Sequence, residues 1–372
     1  MYDYIIIGAG MAGLYMTYRL NKMNFNVICL EKNDHIGGRT KEEIFNNIVI
    51  KSGAGVTDKG NVHLLRLLNK LEIDKKSFKN DINHDFLYDR FDMDLAVDLL
   101  LEKYYSLGYQ PDLNVKDFLI NHFGCEFAKL FFKFSEFSDY YEQQISDFIH
   151  YYPIDDVRPG PIEYYTFRYT DLSNKLAENI NIVTSTLVEK IERKDNFLLV
   201  NGIYKTKNII YSGTIDFAKK LFSYPFLNSI HGVPFVKTFL SYERNIEMNH
   251  TMLTCDELKK IIKLNDNTLM IYGDNIYANI WGKRYENNTF ENKLRRVLKK
   301  YDLDDFKEYK YVHWDVGVHC YKNYTNDRYN WIVKNMNPEN NIYFCGEMMS
   351  LRQGWVEGAI MSVDILIDKY IE

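Results

Sequence analysis

The first thirty residues contain two short apolar runs separated by a segment with helical spacing. Residues 2–7 form a β-rich apolar run that predicts a buried strand, and residues 14–20 predict a helix that packs along one face. Residues 26–30 predict a second strand, which ends at Glu31. This order of strand, helix and strand predicts a βαβ unit and therefore an α/β fold with a parallel sheet.

A glycine-rich turn joins the first strand to the helix. Residues 8–13 read Gly-Ala-Gly-Met-Ala-Gly, a G-x-G-x-x-G pattern. Gly8 permits the tight turn, Gly10 lets the backbone approach a pyrophosphate, and Gly13 lets the helix pack closely on the sheet. The pyrophosphate would lie at the helix N-terminus, and Glu31 would accept hydrogen bonds from a ribose. In this context the motif predicts a dinucleotide-binding Rossmann-like unit.

Two more glycine-rich segments follow. Residues 36–40 read Ile-Gly-Gly-Arg-Thr and residues 52–55 read Ser-Gly-Ala-Gly. The first segment resembles the second signature of glutathione-reductase-like flavoproteins, and specifically that of the flavin-containing amine oxidases. The resemblance implies that Arg39 neutralises diphosphate charge on FAD and that the backbone at Gly53 approaches the flavin. Lys51 is a departure, because the family usually has an acidic or apolar residue before this segment.

The C-terminal part of the chain carries a second set of motifs. Residues 341–347 predict a strand ending in Gly-Glu, and residues 353–360 read Gln-Gly-Trp-Val-Glu-Gly-Ala-Ile and open a helix. Both resemble the closing pattern of the same family. The resemblance implies that Glu347 hydrogen-bonds the ribityl chain of FAD. It also implies that the helix beginning at Val356 turns its positive end towards flavin N1 and O2.

The resemblance implies an α/β fold with a discontinuous Rossmann-like FAD-binding domain. This domain comprises residues 1–80, 180–232 and 312–372; residues 81–179 and 233–311 form an α+β substrate domain with a helical cap. Val188 would contact the adenine through its backbone. The implied cofactor-binding residues are Gly8, Gly10, Ala12, Gly13, Glu31, Lys32, Gly38, Arg39, Gly53, Ala54, Val188, Gly346, Glu347 and Val356.

Three residues would carry the chemistry. Lys237 lies in a β-rich run, and in the amine oxidases a lysine on such a strand holds a water against flavin N5. Tyr321 and Trp355 align with two walls of an aromatic cage that can hold an amine by cation–π attraction. Cys320 aligns with the cysteine that some members link to the flavin, but an ordinary buried cysteine and non-covalent FAD are favoured.

The implied reaction is the oxidation of a small-molecule amine by FAD, with the imine hydrolysed and dioxygen reduced to hydrogen peroxide. Aromatic residues between positions 98 and 150 predict a helical cap over the substrate, where Glu136 or Asp139 could receive a second amine. A flavin-dependent sugar mutase, a desaturase and a flavin-binding protein without turnover remain alternatives. A mutase needs arginines clustered for a nucleotide diphosphate, and the arginines here are scattered along the sequence.

The composition argues against other classes of protein. The 372 residues carry a net charge of −5 without a basic stripe, which argues against a nucleic-acid partner. No apolar run reaches the roughly 18 residues of a membrane span, and the first residues lack the basic start that is expected of a signal peptide. The five dispersed cysteines favour a reducing compartment and give no metal-site spacing. We therefore expect a cytoplasmic protein whose last helix leaves no membrane anchor; the oligomeric state is left open.

Overall fold

The structure is a computed structural model that describes most of the chain. The described residues are 1–80, 82–83, 91–152, 162–248, 251–254, 256–322, 324 and 327–371. Cys255 lies outside them, and the other four cysteines are free thiols. None of the described helices is both long enough and apolar enough to cross a membrane. The described residues contain no group of three or more His, Cys, Asp or Glu side chains that could hold a metal ion.

The strands are numbered in chain order within the described residues. They are β1 Tyr2–Ile7, β2 Val27–Leu30, β3 Glu42–Phe45, β4 Ile48–Lys51, β5 Thr57–Asp58, β6 Lys76–Asn80, β7 Ile82–Asn83, β8 Ile162–Thr166, β9 Ile182–Val183, β10 Ile191–Arg193, β11 Leu198–Val200, β12 Tyr204–Tyr211, β13 Ile230–Ser241, β14 Thr251–Leu253, β15 Lys260–Asn265, β16 Thr268–Asp274, β17 Glu308–Tyr321 and β18 Ile342–Phe344.

The α-helices are numbered in the same way. They are α1 Met11–Lys22, α2 Val62–Lys70, α3 Met93–Leu107, α4 Val115–Phe123, α5 Cys125–Phe134, α6 Ile145–Tyr151, α7 Tyr169–Ala177, α8 Ile215–Leu221, α9 Asn275–Glu286, α10 Phe290–Leu298, α11 Arg328–Met336 and α12 Val356–Tyr370.

The first sheet is built around β1. Its strand order is β10-β11-β12-β1-β2-β9, and β18 also pairs with β12. β1 runs parallel to β12 and to β2, so that Ile6 lies opposite Ile210 on one side and Cys29 on the other. All three side chains are buried, as expected for a parallel sheet that is covered on both faces. The carboxyl ends of β1 and β2 therefore place the first glycine turn and Glu31 at the same edge.

The second sheet is antiparallel except at its β14–β7 edge. Its strand order is β17-β13-β16-β15-β14-β7, and the long strands β13 and β17 pair over most of their length. Across four adjacent strands the direct partners are Val312, Lys237, Tyr272 and Lys260. Directly paired residues point to the same face of a sheet, so these four side chains form one row. We call it the lysine row.

The buried apolar side chains of the described residues form three groups. One surrounds the first sheet and includes residues of α1, α7 and α12. The second consists mainly of aromatic and aliphatic residues from α3 to α6, which we call the cap. The third lies between the second sheet and helices α9 and α10. The predicted fold class, a Rossmann-like α/β domain with an α+β part and a helical cap, is confirmed.

The predicted domain boundaries stay a prediction. Helix α7 precedes the predicted boundary at residue 180, yet its Leu172 and Leu176 belong to the core around the first sheet. Helix α7 packs against α1 there. The described contacts therefore attach this helix to the nucleotide-binding sheet rather than to the cap.

Candidate cofactor and active site

The turn after β1 leaves open space beside the start of α1. Gly8 has φ +101°, a conformation that side chains other than glycine rarely adopt. A Cβ at Gly13 would lie 1.8 Å from the carbonyl oxygen of Gly8, whereas a Cβ at Gly10 would meet nothing within 4 Å. No side chain caps the start of α1. The helix start therefore offers free donors beside an open glycine, which suits an anion.

The second glycine segment lies directly against this space. The N–H of Gly37 donates to the carbonyl oxygen of Ala9 over 2.8 Å. Gly38 has φ +56°, and a Cβ there would lie 3.2 Å from the Cα of Gly10. A Cβ at Gly53 would lie 1.8 Å from the carbonyl oxygen of Arg39. The first glycine segment thus packs against the second, and the second against the third, at positions where a side chain would be too close to the backbone.

Three side chains hold the segment 51–55 in place through its carbonyl oxygens, and two of them come from the second sheet. Lys237 Nζ donates to the carbonyl of Gly53 over 2.5 Å and to that of Lys51 over 3.1 Å. Trp314 Nε1 donates to the carbonyl of Ser52 over 2.9 Å. Lys51 Nζ donates to the carbonyl of Gly55 over 2.7 Å. The segment in which the backbone was expected to approach a flavin is therefore anchored from the side of the sheet.

Lys237 is buried in a positively charged environment. Burial lowers the pKa of Lys237, and the nearby charges of Lys51 and Lys260 lower it further, to about 7. Burial also lowers the pKa of Lys51, to about 8. Lys237 Nζ lies 5.1 Å from the ring centroid of Tyr272. A lysine in this setting changes its charge near neutral pH, as side chains at functional sites often do.

Glu347 is the centre of a buried charged group. Its Oε1 accepts from the backbone N–H of His319 and of Gly354, and its Oε2 accepts from Arg39 and from His319 Nδ1. Burial alone would raise the pKa of Glu347, but the charge of Arg39 and the hydrogen bonds from His319 and Gly354 outweigh it and hold the pKa far below its usual range. The carboxylate is therefore ionised, and four donors occupy its lone pairs.

The hydrogen bonds fix the tautomer of His319. The N–H of Ile215, the first residue of α8, donates to His319 Nε2 over 3.2 Å. Nε2 is therefore unprotonated, and the proton on Nδ1 is donated to Glu347. The ring is neutral, in agreement with its burial, which lowers the pKa of His319. His319 thus joins Glu347 to the start of α8.

The last helix begins beside this group. Trp355 precedes α12, and no side chain caps the helix start at Val356. Gly354 has φ +81°, and a Cβ at Gly358 would lie 2.0 Å from the carbonyl oxygen of Arg352. The glycines of this motif are therefore required by the backbone, and the helix start keeps free donors, as at α1.

The two ends of the chain meet at the site. A Cβ at Gly346 would lie 3.8 Å from the Cβ of Ala12 and 3.5 Å from the carbonyl oxygen of Ser212. The strand β18 that ends before Gly346 pairs in parallel with β12, next to β1. Motifs more than 300 residues apart in the sequence therefore face the same edge of one sheet.

The remaining nucleotide-site predictions lie at the ends of β2 and β9. Glu31 is buried and accepts from the N–H of Ala9 over 2.7 Å and from the N–H of Asn33 over 2.9 Å. Val188 is buried, and nothing in the described part of the chain hydrogen-bonds its backbone. Lys32 Nζ lies 4.0 Å from the ring centroid of Phe217. The structure thus leaves the Val188 backbone available and gives Lys32 an aromatic neighbour.

The structure does not give the two predicted cage residues the same surroundings. Tyr321 is fully buried, its hydroxyl donates to the carbonyl of Met348 over 2.7 Å, and Arg328 lies over its ring. Trp355 is partly exposed, and the guanidinium of Arg352 lies 5.5 Å from its ring centroid. Trp355 can therefore face a ligand, whereas Tyr321 is enclosed in the core. The cage stays a prediction.

Cys320, the candidate for a covalent link, is buried. Burial raises the pKa of its thiol, so the sulfur stays protonated at neutral pH. It lies 3% exposed on β17, opposite His231.

The two cap acids that were candidates for a second amine already have partners. Glu136 forms a buried ion pair with Lys260. Asp139 accepts a hydrogen bond from the hydroxyl of Tyr152 over 2.8 Å. Burial and the nearby charge of Asp274 raise the pKa of Asp139 to about 7. Neither carboxylate is therefore a free anion at the surface of the cap.

Several residues of the site do not stand in a recognisable motif. Lys51 was visible only as a departure from the family pattern, and His319 only as a neighbour of Cys320. Trp314 lies in a run that resembles the family segment leading from a tryptophan towards the flavin, but its hydrogen bond to Ser52 could not be read from the sequence. Lys260 gave no signal of its own, because its position in the row depends on the register of the second sheet. Glu357 stands inside a motif, but its role is structural: its carboxylate accepts from the first-turn N–H groups of His63 and Leu64 and so caps α2.

Each sequence comparison matches a part of the chain. The family model of the NAD(P)-binding Rossmann-like domain matches residues 6–71. An uncharacterized protein of Acanthamoeba polyphaga mimivirus is 29% identical over 128 residues, which are 28% of this chain and 25% of that protein. The match thus spans about a quarter of the length of that relative.

Solved structures resemble the whole chain. A putrescine oxidase with redesigned cofactor binding superposes with a TM-score of 0.77 at 14% identity, covering 99% of each chain. Cyclohexylamine oxidase from Brevibacterium oxydans superposes with a TM-score of 0.75 at 16% identity, covering 100% of each chain. At these identities the likeness establishes the fold. The predicted resemblance to flavin amine oxidases is thereby confirmed in the fold.

Proposed function

We propose that this protein is an FAD-dependent oxidoreductase that oxidises an amine, with dioxygen as the electron acceptor. The observation that carries the proposal is that three segments lie against the turn before α1 or against one another: residues 37–39, residues 51–55 and the Gly346 turn that precedes α12. Neither α1 nor α12 has a side-chain cap at its start. One helix start suits a diphosphate, and the other suits an electron-rich ring edge. The fold that putrescine oxidase and cyclohexylamine oxidase share with the whole chain supports the same activity.

The residues fit FAD in the following way. The first N–H groups of α1 and the side chain of Arg39 would hold the diphosphate. Glu31 would bind the adenosine ribose, and the free backbone of Val188 would contact the adenine. The N-terminus of α12 at Val356 would face the pyrimidine edge of the flavin.

Glu347 would have to exchange a partner for a ribityl hydroxyl, because four donors already occupy its carboxylate. The contact with Arg39 is the one that can be given up, since Arg39 also donates to the carbonyl of Gly317 and would gain a diphosphate. His319 and the N–H of Gly354 would keep the carboxylate oriented. FAD binding would thus replace an internal ion pair by a pair between Arg39 and the cofactor.

Bound FAD would supply the hydride acceptor and would reduce dioxygen. In the overall reaction, an amine, dioxygen and water give three products: a carbonyl compound, hydrogen peroxide, and either ammonia or a smaller amine. Lys237 would hold a water near the segment 51–55. Trp355 would orient the amine, and the cap would exclude bulk water. The amine itself, in its deprotonated form, needs no further base.

Anaerobic mixing of the flavin-loaded protein with a panel of amines tests this function. We expect at least one amine to bleach the flavin absorbance, and hydrogen peroxide to appear after air is admitted. Lys237→Met should retain FAD but slow its reoxidation. Lys263→Met removes a lysine from the same sheet away from the row, and it should retain FAD and leave the reoxidation rate unchanged. The proposal would be contradicted if no amine bleached the flavin. It would also be contradicted if Lys237→Met left the rate of flavin reoxidation unchanged.

The FAD is proposed to be held without a covalent bond. The thiol of Cys320 is buried and protonated, which does not favour its reaction with the flavin. After acid precipitation the yellow colour should appear in the supernatant. A yellow pellet in the wild type, lost in Cys320→Ser, would establish the link instead.

The structure does not favour the alternative of a sugar mutase. Two arginines near the site pair with carboxylates of the protein: Arg328 with Asp147 and Arg352 with Asp58. If a nucleotide sugar perturbed the spectrum of the reduced flavin and no amine bleached the oxidised flavin, the sugar mutase would be favoured over the amine oxidase.

A further inference from the structure

The lysine row extends from the predicted flavin segment to the cap. At one end, Lys237 contacts the carbonyl of Gly53. At the other end, Lys260 forms its ion pair with Glu136 of the cap, and Tyr272 lies between the two lysines. Neighbouring strands lie about 4.8 Å apart, so the two lysines, two strands apart, are separated by roughly 10 Å along the row. The row thus connects the predicted position of the reacting amine to a second polar position.

Lys260 has more hydrogen-bond donors than acceptors around it. An ammonium group has three N–H donors. In the described part of the chain, its hydrogen-bond acceptor is the carboxylate of Glu136. Its other close neighbours are aromatic: the ring centroid of Phe137 at 3.9 Å and that of Tyr272 at 5.5 Å. The side chain is only 4% exposed, so water has little access to the remaining donors. A buried donor without an acceptor is costly unless a ligand supplies one.

Two other ammonium groups lie near Lys237, and one of them, Lys260, belongs to the row. The charges of Lys51 and Lys260 both act on Lys237, and both disfavour its charged form. Glu136 is the carboxylate paired with Lys260, so a second ammonium group would have to displace that lysine. A diamine would therefore meet repulsion at the far end of the row, whereas a carboxylate would meet a cation with free donors.

We propose that the amine oxidised by this protein carries a carboxylate at its far end and that Lys260 binds this carboxylate. The inference rests on the proposed function, since it names the class of amine. The reacting amine lies at the Lys237 end and the carboxylate at the Lys260 end. Glu136 and the rings of Phe137 and Tyr272 hold the Lys260 ammonium in place. The row thus selects an ω-amino acid over a diamine of equal length.

Three amines with carbon chains of equal length test the selection. Hexylamine, hexamethylenediamine and ε-aminocaproate differ only in the group at the far end. With the flavin-loaded protein we expect ε-aminocaproate to have the highest kcat/KM and the diamine the lowest. Each step should be roughly tenfold, the value of one hydrogen bond to a charged group. Caproate, which has no amine to oxidise, should perturb the oxidised flavin spectrum on binding.

Two variants at the Lys260 end should move the preference in opposite directions. Glu136→Gln removes the competing carboxylate and should strengthen the preference for ε-aminocaproate. Lys260→Met combined with Glu136→Leu removes the whole ion pair without leaving a buried charge, and should make ε-aminocaproate no better than hexylamine. Lys263→Met is the matched control, because Lys263 lies on the opposite face of β15 and contacts the carbonyl of Ile246. It should leave the order of the three amines unchanged.

The outcomes separate this inference from the proposed function. If the amines bleach the flavin but the diamine is preferred, or the double variant keeps the preference, the carboxylate site is wrong and the amine oxidase stands. If no amine bleaches the flavin while caproate binds through Lys260, the site stands and the oxidase is wrong. If caproate binding is absent or unaffected by the double variant and no amine is oxidised, both are wrong.

Discussion

The glycine segments around α1 and the junction between the second sheet and the cap are built on opposite principles. The first region depends on missing side chains: Gly13 and Gly53 pack where a Cβ would lie 1.8 Å from a carbonyl oxygen. The second depends on buried charge. Lys259 donates to the carbonyls of Phe132 and Ser135, and Asp274 accepts from Ser138. A region that receives a ligand keeps its backbone donors free, whereas a junction between two parts of the fold uses them up.

The difference appears at the helix ends. Helix α1 starts without a cap, which leaves donors for a ligand. Helix α5 ends against the ammonium group of Lys259. This group donates to three carbonyls, those of Phe132, Lys133 and Ser135, so its donors are not left for a ligand. A cation at a helix C-terminus also interacts favourably with the helix dipole. The same backbone chemistry thus leaves the helix start uncapped in one region and makes a fixed joint in the other.

The largest expected effect is at the junction. Lys260→Met leaves the carboxylate of Glu136 buried without a partner, and we expect a loss of about 3–5 kcal/mol in the free energy of unfolding. Urea unfolding measures it. The double variant Lys260→Met/Glu136→Leu should recover most of this loss, because no buried charge remains. Equal losses in the single and double variants would show that the pair is not the cause.

The next effect is at the glycine turn. Gly13→Ala places a Cβ against the carbonyl of Gly8 and should cost about 1–3 kcal/mol in stability. Gly10→Ala is the matched control for packing, since its Cβ meets nothing within 4 Å. It should unfold like the wild type yet bind FAD more weakly, as fluorescence titration can measure. Equal FAD affinity in Gly10→Ala and the wild type would contradict the assigned ligand space.

The pH dependence of stability should report Lys237. Its pKa in the folded protein is about 7, below the ordinary 10.5 of the unfolded chain. Between these values the unfolded state binds the extra proton, so stability should rise with pH, by up to about 1.4 kcal/mol per pH unit for one proton. Lys237→Met should flatten this rise, measured by urea unfolding at several pH values. Lys190→Met, at an exposed position, should keep the wild-type slope of stability against pH. If Lys237→Met also keeps that slope, a group other than Lys237 causes the rise.

The smallest expected effect concerns Glu357, which belongs to a cofactor motif but caps α2. Glu357→Gln keeps the shape but loses the charge at the helix N-terminus, and we expect a loss of about 1 kcal/mol. Thermal unfolding measures it, with Glu102→Gln on the exposed face of α3 as the control. If the variant loses FAD without losing stability, Glu357 acts on the cofactor rather than on the helix.

Much of the fold could be predicted from local sequence. The run at residues 2–7, the glycines after it and the strand ending at Glu31 specify a βαβ unit, because each residue type is required by a local backbone or packing constraint. The closing motif at Gly354 and Gly358 is specified in the same way. The surroundings of Tyr321 could not be predicted, since alignment with a cage residue does not show that Arg328 and Met348 enclose its ring.

The sequence by itself determined the nucleotide-binding architecture, because free helix donors and close backbone packing require glycine at fixed spacing. Only the tertiary structure decided the lysine row and the partners of Glu347. Lys237, Tyr272 and Lys260 belong to separate strands, and the register of the sheet alone places them on one face. Burial then gives these charges their effect, since a lysine or carboxylate removed from water must find a partner or change its protonation.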